Sequence, residues 1–262
     1  MELKVLARVS RVLLDIDDTL STHGKLTAPA YSALWQLHDA GIEVAMVTGR
    51  PAGWCDHIAR FWPVNAVIGE NGAFYFFHDG TKLRQRFVYG AEERAMFRAR
   101  LGALRERILR EVAGTALASD QSYRESDLAI DFCEDVPRLD WAAVQRIKAI
   151  FEEAGARAKI SSIHVNGWFG EFDKLSTARL WARERLGSEL DSETDSYIYC
   201  GDSPNDEPMF RWFPLSFGVA NVRPFLSNMA HPPAFICEAE CGAGFCQVVE
   251  KLLEARRAKH SP

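Results

Sequence analysis

The sequence predicts an α/β protein, with a parallel-sheet core interrupted by a second, smaller α/β unit. Short apolar runs alternate with helical patterns near both ends of the chain, the rhythm of a parallel sheet with covering helices. Between them, over about residues 78–172, that rhythm gives way to a hairpin and alternating strands. Several of the outer apolar runs also stop at a carboxylate or a hydroxyl, as buried strands do when they emerge at one edge of a sheet.

Val12 to Leu14 is the first such run and stops at Asp15. Thr27 is placed to cap a helix carrying Leu34 and Leu37 on one face, and Gly41 supplies the left-handed stop. Glu43 to Val47 is the next strand, ending at Thr48-Gly49-Arg50, and Pro51 opens a helix towards Trp62. Ala66 to Ile68 is a third strand. Ala73–Phe77 and Lys82–Tyr89 flank Asp79-Gly80 as a hairpin. A charged helix is expected over about 92–112 and a half-buried strand over 128–132. An amphipathic helix covers 141–153, with Val144, Ile147 and Phe151 at helical spacing. Strands over 157–161 and 162–169 complete an open-faced unit. Leu175–Leu186 is then helical, Tyr197–Cys200 is a strand ending in Gly201-Asp202, and short strands fall at 216–219 and 235–237. The last helix starts near Phe245, and residues 259–262 are expected to fray. The expected division is a discontinuous core, 1–77 with 173–262, and an inserted unit, 78–172.

Composition narrows the function. Of 262 residues, 31 are basic and 36 acidic, a formal charge of -5, which argues against a nucleic-acid polymer as partner. No apolar run approaches the ~20 residues of a membrane helix, and no signal peptide is visible, so a cytoplasmic location is expected. The six cysteines lack paired two-residue spacing, and Cys237, Cys241 and Cys246 lack a histidine to complete a zinc set; free thiols are expected.

In an open α/β sheet, ligands bind beyond the carboxyl ends of the strands, so Asp15, Asp17, Thr48 and Asp202 can converge. Neighbouring carboxylates repel unless a cation sits among them, and an oxygen-only set suits Mg²⁺. Asp206 adds a fourth acid, and Gly201 to Asp206 fits a strand end turning into a helix. Any one of these aspartates alone reads as a turn former or cap.

Asp15-Ile16-Asp17-Asp18-Thr19-Leu20, Thr48-Gly49-Arg50, Lys174 and Gly201-Asp202-Ser203-Pro204-Asn205-Asp206 together resemble the four motifs of the haloacid dehalogenase superfamily of phosphatases. The resemblance covers about residues 9–77 and 173–249, including Asn71-Gly72-Ala73 and Val219-Ala220-Asn221. It implies a Rossmann-like core, and the position of the insert is similar to the type IIB cap of the Cof-like branch. That branch holds sugar phosphatases, sucrose-phosphate and mannosyl-3-phosphoglycerate phosphatases and phosphomannomutases. The resemblance implies that Asp15 attacks phosphorus and forms an aspartyl-phosphate, and that Asp17 is general acid and then base. Asp15, the Asp17 backbone carbonyl and Asp202 hold Mg²⁺. Asp206 supports the ion through water or orients Lys174, and Thr48 and Lys174 bind phosphoryl oxygens. Asp17 can donate a proton only if its pKa rises, which calls for apolar surroundings away from the metal charge.

The insert must then read the leaving group of a small-molecule phosphate ester. Alternation puts Ser162, His164, Asn166 and Trp168 on one strand face, which reads as a sugar-binding face with an exposed indole or as the unit's solvent face. Ser122 to Glu125 is a further polar stretch, and His23 and Gly24 are rim positions. Asn205 is a substrate-binding candidate. Arg50 is another, or it pairs with an acid near the site. A phosphohexomutase-like transfer shares the same machinery, and a regulatory protein could keep the fold without turnover. Release of inorganic phosphate with no isomer formed separates the first from a hydrolase; turnover itself excludes the second.

Overall fold

The computed structural model describes residues 3–161 and 163–260. A short helix, α1 (Leu3–Leu6), leads into β1 (Arg11–Leu14), α2 (Ala28–Asp39), β2 (Glu43–Val47), α3 (Ala52–Phe61) and β3 (Ala66–Gly69). A hairpin follows, β4 (Phe74–His78) and β5 (Leu83–Phe87), then α4 (Ala91–Glu111), β6 (Ala116–Leu117), β7 (Asp127–Asp131), α5 (Trp141–Glu153), β8 (Arg157–Ile160) and β9 (His164–Trp168). The chain returns through α6 (Lys174–Trp181), β10 (Tyr197–Gly201), α7 (Glu207–Trp212), β11 (Ser216–Gly218), β12 (Phe235–Ile236) and α8 (Cys241–His260). Ser261 and Pro262, part of the segment expected to fray, lie outside the described residues, as does Ser162. No helix among the described residues is long and apolar enough to cross a membrane.

Eight strands form one sheet in the order β12-β11-β10-β1-β2-β3-β4-β5. The pairs from β12 through β3 are parallel, and β4 and β5 are antiparallel additions. Alternation divides the sheet's side chains between two cores. Val12, Leu14, Val44, Met46 and Val67 pack with α2, α3 and α8, whereas Leu13, Ala45, Val47, Ala66 and Ile68 pack with α6 and α7. Each such fully buried aliphatic side chain contributes about 1.5–3 kcal/mol. From β1 the chain winds outward through β2 and β3 on one side, and from β10 through β11 and β12 on the other. The switch point therefore lies between β1 and β10, where a crevice opens at the strand ends.

Four antiparallel strands form a second sheet, β6-β7-β9-β8, with α4 and α5 packed on one face. Two sequence expectations change here. β5 belongs to the larger sheet, so residues 83–87, inside the span assigned to the insert, pair with the core. The second sheet is also not open-faced: every residue of β7 and β9 is buried, because the face away from the helices lies against the strand ends of the larger sheet. A smaller correction falls on Thr27, which stands at the N-cap of α2 but makes no side-chain cap bond.

Candidate active site

The site is built where β1 and β10 separate. Leu14 pairs with Cys200, and the Asp15 amide donates to the Cys200 carbonyl at 3.0 Å. Asp15 and Asp202 thus leave neighbouring strands side by side, both nearly inaccessible. Carboxylate oxygens of Asp15, Asp202 and Asp206 all lie within 4.8 Å of one another. Gly201 makes this possible: a Cβ there would come 2.5 Å from Asp206 Oδ2. That same oxygen accepts from the amides of Asp202 and Ser203 at 3.1 and 3.4 Å, tying the acidic turn together.

Lys174 is the first residue of α6. Asp173 caps the helix by accepting from the Ser176 amide at 2.7 Å. The Lys174 ammonium donates to Asp15 Oδ1 at 3.0 Å and to Asp206 Oδ1 at 2.8 Å. Tyr199 also donates to Asp206 Oδ1, at 2.5 Å. Both Asp206 oxygens are therefore engaged by protein donors, which favours orientation of Lys174 over direct ligation. Gly72 sets the position of α6. Its φ is +108°, and a Cβ on it would meet the Asp173 carbonyl oxygen at 2.2 Å.

The electrostatics are unbalanced towards negative charge. Burial pushes Asp15 up to about 7; Lys174 opposes this, and Asp206 and Asp17 add to it. Asp202 is also raised well above the ordinary carboxylate range, by burial and then by Asp206 and Asp15. Burial alone would pull the Lys174 ammonium down, but Asp15 and Asp206 more than reverse this. Three buried carboxylates against one ammonium leave an excess that a hard divalent cation would neutralise, and the all-oxygen donor set fits such an ion. Thr19 Oγ1, 3.2 Å from Asp202 Oδ1, orients that carboxylate.

Asp17 and Arg50 meet at the rim. The Arg50 fork engages Asp17 at 2.7 Å through Nη2 and at 2.9 and 3.0 Å through Nε. Of the choices open from sequence, Arg50 thus takes the nearby acid. The apolar setting expected for Asp17 is replaced by a guanidinium that engages both of its oxygens. Arg50 Nη1 also lies 3.7 Å from Asp120 and 4.0 Å from Glu134 of the second unit. Thr48 is fully buried at the end of β2, and its hydroxyl accepts from the Arg50 amide at 3.0 Å.

From the second unit, His164, Asn166, Lys159, Ser161 and Arg124 close over Asp15, Asp17, Asp202, Ser203 and Asn205 in a pocket of about 40 Å³. Burial, then Arg124, pulls His164 down to about 4; its Nε2 stands 2.9 Å from Glu134 Oε2. Asn166 Nδ2 donates to Asp127 at 2.9 Å. Trp168 departs from expectation. It is buried rather than exposed, stacks on Phe172 with centroids 5.6 Å apart, and lines a separate cavity of about 360 Å³ beside Lys174. The core covers the face on which sequence alternation had left it free. Ser162 lies outside the described residues.

Three residues at the site had no place in the sequence-derived set. Asn71, in left-handed backbone (φ 57°) just after β3, is buried and its Nδ2 has no partner. Its position after a strand end is the signal shared with Asp15, Thr48 and Asp202. Lys159 and Ser161 carried no local signal. Arg124, met only as part of a polar stretch, is the centre of a buried network. It donates to Asp120 at 3.0 and 3.1 Å, to Asp127 at 3.0 and 3.2 Å, and to the Gly49 carbonyl at 3.0 Å.

Residues 12–89 match the family described as haloacid dehalogenase-like hydrolase. No curated protein matches the sequence significantly. Solved structures share the fold across nearly the whole chain. A Thermoplasma acidophilum protein has a TM-score of 0.72 at 19% identity, covering 94% of this chain and 98% of its own. A haloacid dehalogenase-like hydrolase from Bacteroides thetaiotaomicron has 0.66 at 13%, covering 93% and 99%. A Synechocystis sucrose-phosphatase, solved with sucrose and phosphate, has 0.63 at 14%, covering 92% and 97%. The family match thus spans β1 to β5, and the fold that the chain shares with these structures runs through the rest.

Proposed function

We propose that the protein is a Mg²⁺-dependent phosphatase that hydrolyses a phosphate monoester of a small metabolite, with sugar phosphates the leading class, through a phosphoryl group carried on Asp15. The observation that carries this is the Lys174 ammonium bridging Asp15 and Asp206 at 3.0 and 2.8 Å inside a cluster of buried carboxylates. The sucrose-phosphatase among the structures of the same fold supports the substrate class, as do the polar groups of Lys159, Ser161, His164 and Asn166 over the pocket.

In this reading, Asp15 and Asp202 would hold the ion with the Asp17 backbone carbonyl, and Asp206, which fixes Lys174, would support it. The ion supplies charge neutralisation, so that an anionic ester tolerates an anionic nucleophile. Lys174, the Thr48 hydroxyl and the unpaired Asn71 amide hold phosphoryl oxygens as charge shifts onto them. The Asp15 carboxylate attacks phosphorus, and the bond to the alcohol oxygen breaks as Asp17 gives that oxygen a proton. Asp17 then takes a proton from the water that hydrolyses the acyl phosphate. Because Arg50 engages both Asp17 oxygens, the donating step requires Arg50 to let go, and Asp120 and Glu134 stand within 4.0 Å to receive it. The substrate-selecting unit corresponds to residues 78–172, with the β5 strand counted as core.

The test is phosphate release from a panel of sugar phosphates, phosphoglycerate derivatives and nucleotides, with Mg²⁺ and with EDTA. Asp15→Asn is expected to keep the fold and abolish release. An Asp15→Asn protein that turns over at the wild-type rate would end the proposal.

A further inference from the structure

A cleft of about 860 Å³ opens beside the phosphate pocket of about 40 Å³, and Asp17 and Arg50 line both. On this measure one water takes about 10–15 Å³, so the smaller space holds a group about the size of a phosphoryl group and leaves little for the alcohol. On the proposed phosphatase reading, the leaving oxygen must lie beside Asp17, and whatever it carries must continue past Asp17 and Arg50. The cavity beside Lys174 does not qualify, because Asp17 is not part of its wall.

The lining of the large cleft describes its occupant. Ile16, Leu26, Phe76 and Phe87 form apolar walls. Trp54 on α3 and Tyr123 on the second unit stand 44% and 57% exposed beside them, so apolar and aromatic surface is gathered around one groove, as it is at ligand-binding clefts. The Tyr123 side chain rests against Gly53, and the Arg50 guanidinium sits 4.5 Å from the Trp54 ring centroid. Asp56 and Glu125 line the cleft together with His57, while Arg50 is already engaged by Asp17. Asp56 and Glu125 are themselves paired, with Arg60 and Arg98, so the lining offers a second anion on the substrate no arginine or lysine that is not already engaged.

We propose that this cleft is the leaving-group subsite and that Trp54 and Tyr123 select a phosphate monoester whose alcohol carries a flat, uncharged aromatic ring. An aryl group and a nucleobase share that chemistry. The inference rests on the phosphatase reading and adds to it where the alcohol goes. Polar contacts from His164 and Asn166 then serve the part nearest the phosphate, and stacking serves the part beyond.

The experiment compares kcat/KM with Mg²⁺ for glycerol phosphate, naphthylmethyl phosphate, 4-carboxybenzyl phosphate and a nucleoside 5′-monophosphate. All are esters of alkyl alcohols, so differences report recognition rather than leaving-group chemistry. Wild type is expected to prefer naphthylmethyl over glycerol phosphate at least tenfold and to turn over the carboxylated ester at least tenfold less well than naphthylmethyl. Trp54→Ala and Tyr123→Ala are each expected to reduce the naphthylmethyl-to-glycerol ratio about tenfold, and Tyr123→Phe to retain it. Circular dichroism checks that the variants fold. A nucleotide rate matching naphthylmethyl identifies the ring as a base; a much lower one identifies a simple aryl group. Turnover of glycerol phosphate with a ratio near one, in wild type and variants alike, overturns the subsite and leaves the phosphatase reading standing. No release from any ester overturns both.

Discussion

Replacing Arg124 by Met removes the charge from a buried network while keeping the side chain's length. The Arg124 side chain is 1% exposed and Asp127 is 0% exposed. Without the guanidinium, Asp127 keeps the Asn166 amide at 2.9 Å and Asp120 loses both of its Arg124 bonds. The Gly49 carbonyl loses its 3.0 Å donor, beside Thr48 and Arg50. Breaking a buried ion pair by removing one partner costs about 3–5 kcal/mol, because a charge is left uncompensated, and that is a large share of a typical stability of about 5–15 kcal/mol. Urea denaturation at pH 7.5, followed by fluorescence and circular dichroism, measures the loss. The cycle with Asp127→Asn isolates the coupling: the double variant is expected to be at least ~1 kcal/mol more stable than the sum of the single losses. A loss below ~1 kcal/mol for Arg124→Met, or strict additivity, would refute the claim that these charges act as one unit.

Two further outcomes follow from the geometry. His164 is held neutral, its pKa pulled from 6.5 to about 4 by burial and then by Arg124; Asp120, Asp131, Glu134 and Arg50 also face it. The unfolded chain therefore binds more protons between those values, so this contribution is present above pH 6.5 and is lost as pH falls. Between pH 7.5 and pH 5 it amounts to about 2 kcal/mol, and His164→Gln should lose about that much less stability over the same interval. If wild type and variant lose equal stability, the histidine is not carrying the dependence. Gly72→Ala places a methyl against the Asp173 carbonyl with φ at +108°; it should cost about 1–3 kcal/mol and lower kcat by shifting Lys174. A variant with wild-type kcat would show that α6 adjusts freely.

The parts of the site legible from sequence are those with local signatures. Asp15, Thr48 and Asp202 each follow an apolar strand, so strand pattern and end residue can be read within a few positions. The α5 helix fell on its expected bounds, Trp141–Glu153, because its apolar spacing is regular. What escaped depends on contacts distant in sequence. Arg124 gains its role from Gly49, 75 residues away. Trp168 and His164 alternate as a half-exposed strand would, yet the core covers the face that alternation left free. β5 reads as hairpin whichever sheet accepts it; only its pairing with β4 along the edge of the larger sheet settles the matter. Arg50 was visible as a cation near acids, but its choice of Asp17 follows from the path of the chain after β2.

Glu70 is fully buried just after β3 and receives four backbone amides: Ala52 at 2.9 Å, Glu125 at 2.9 Å, Ser126 at 2.5 Å and Asp127 at 3.1 Å. One carboxylate therefore pins the start of α3 and the entry to β7 to the same point. Such a rivet couples the two sheets at one side chain: parting them there would strand a buried carboxyl group and four N–H groups together, so the join is lost all at once or not at all.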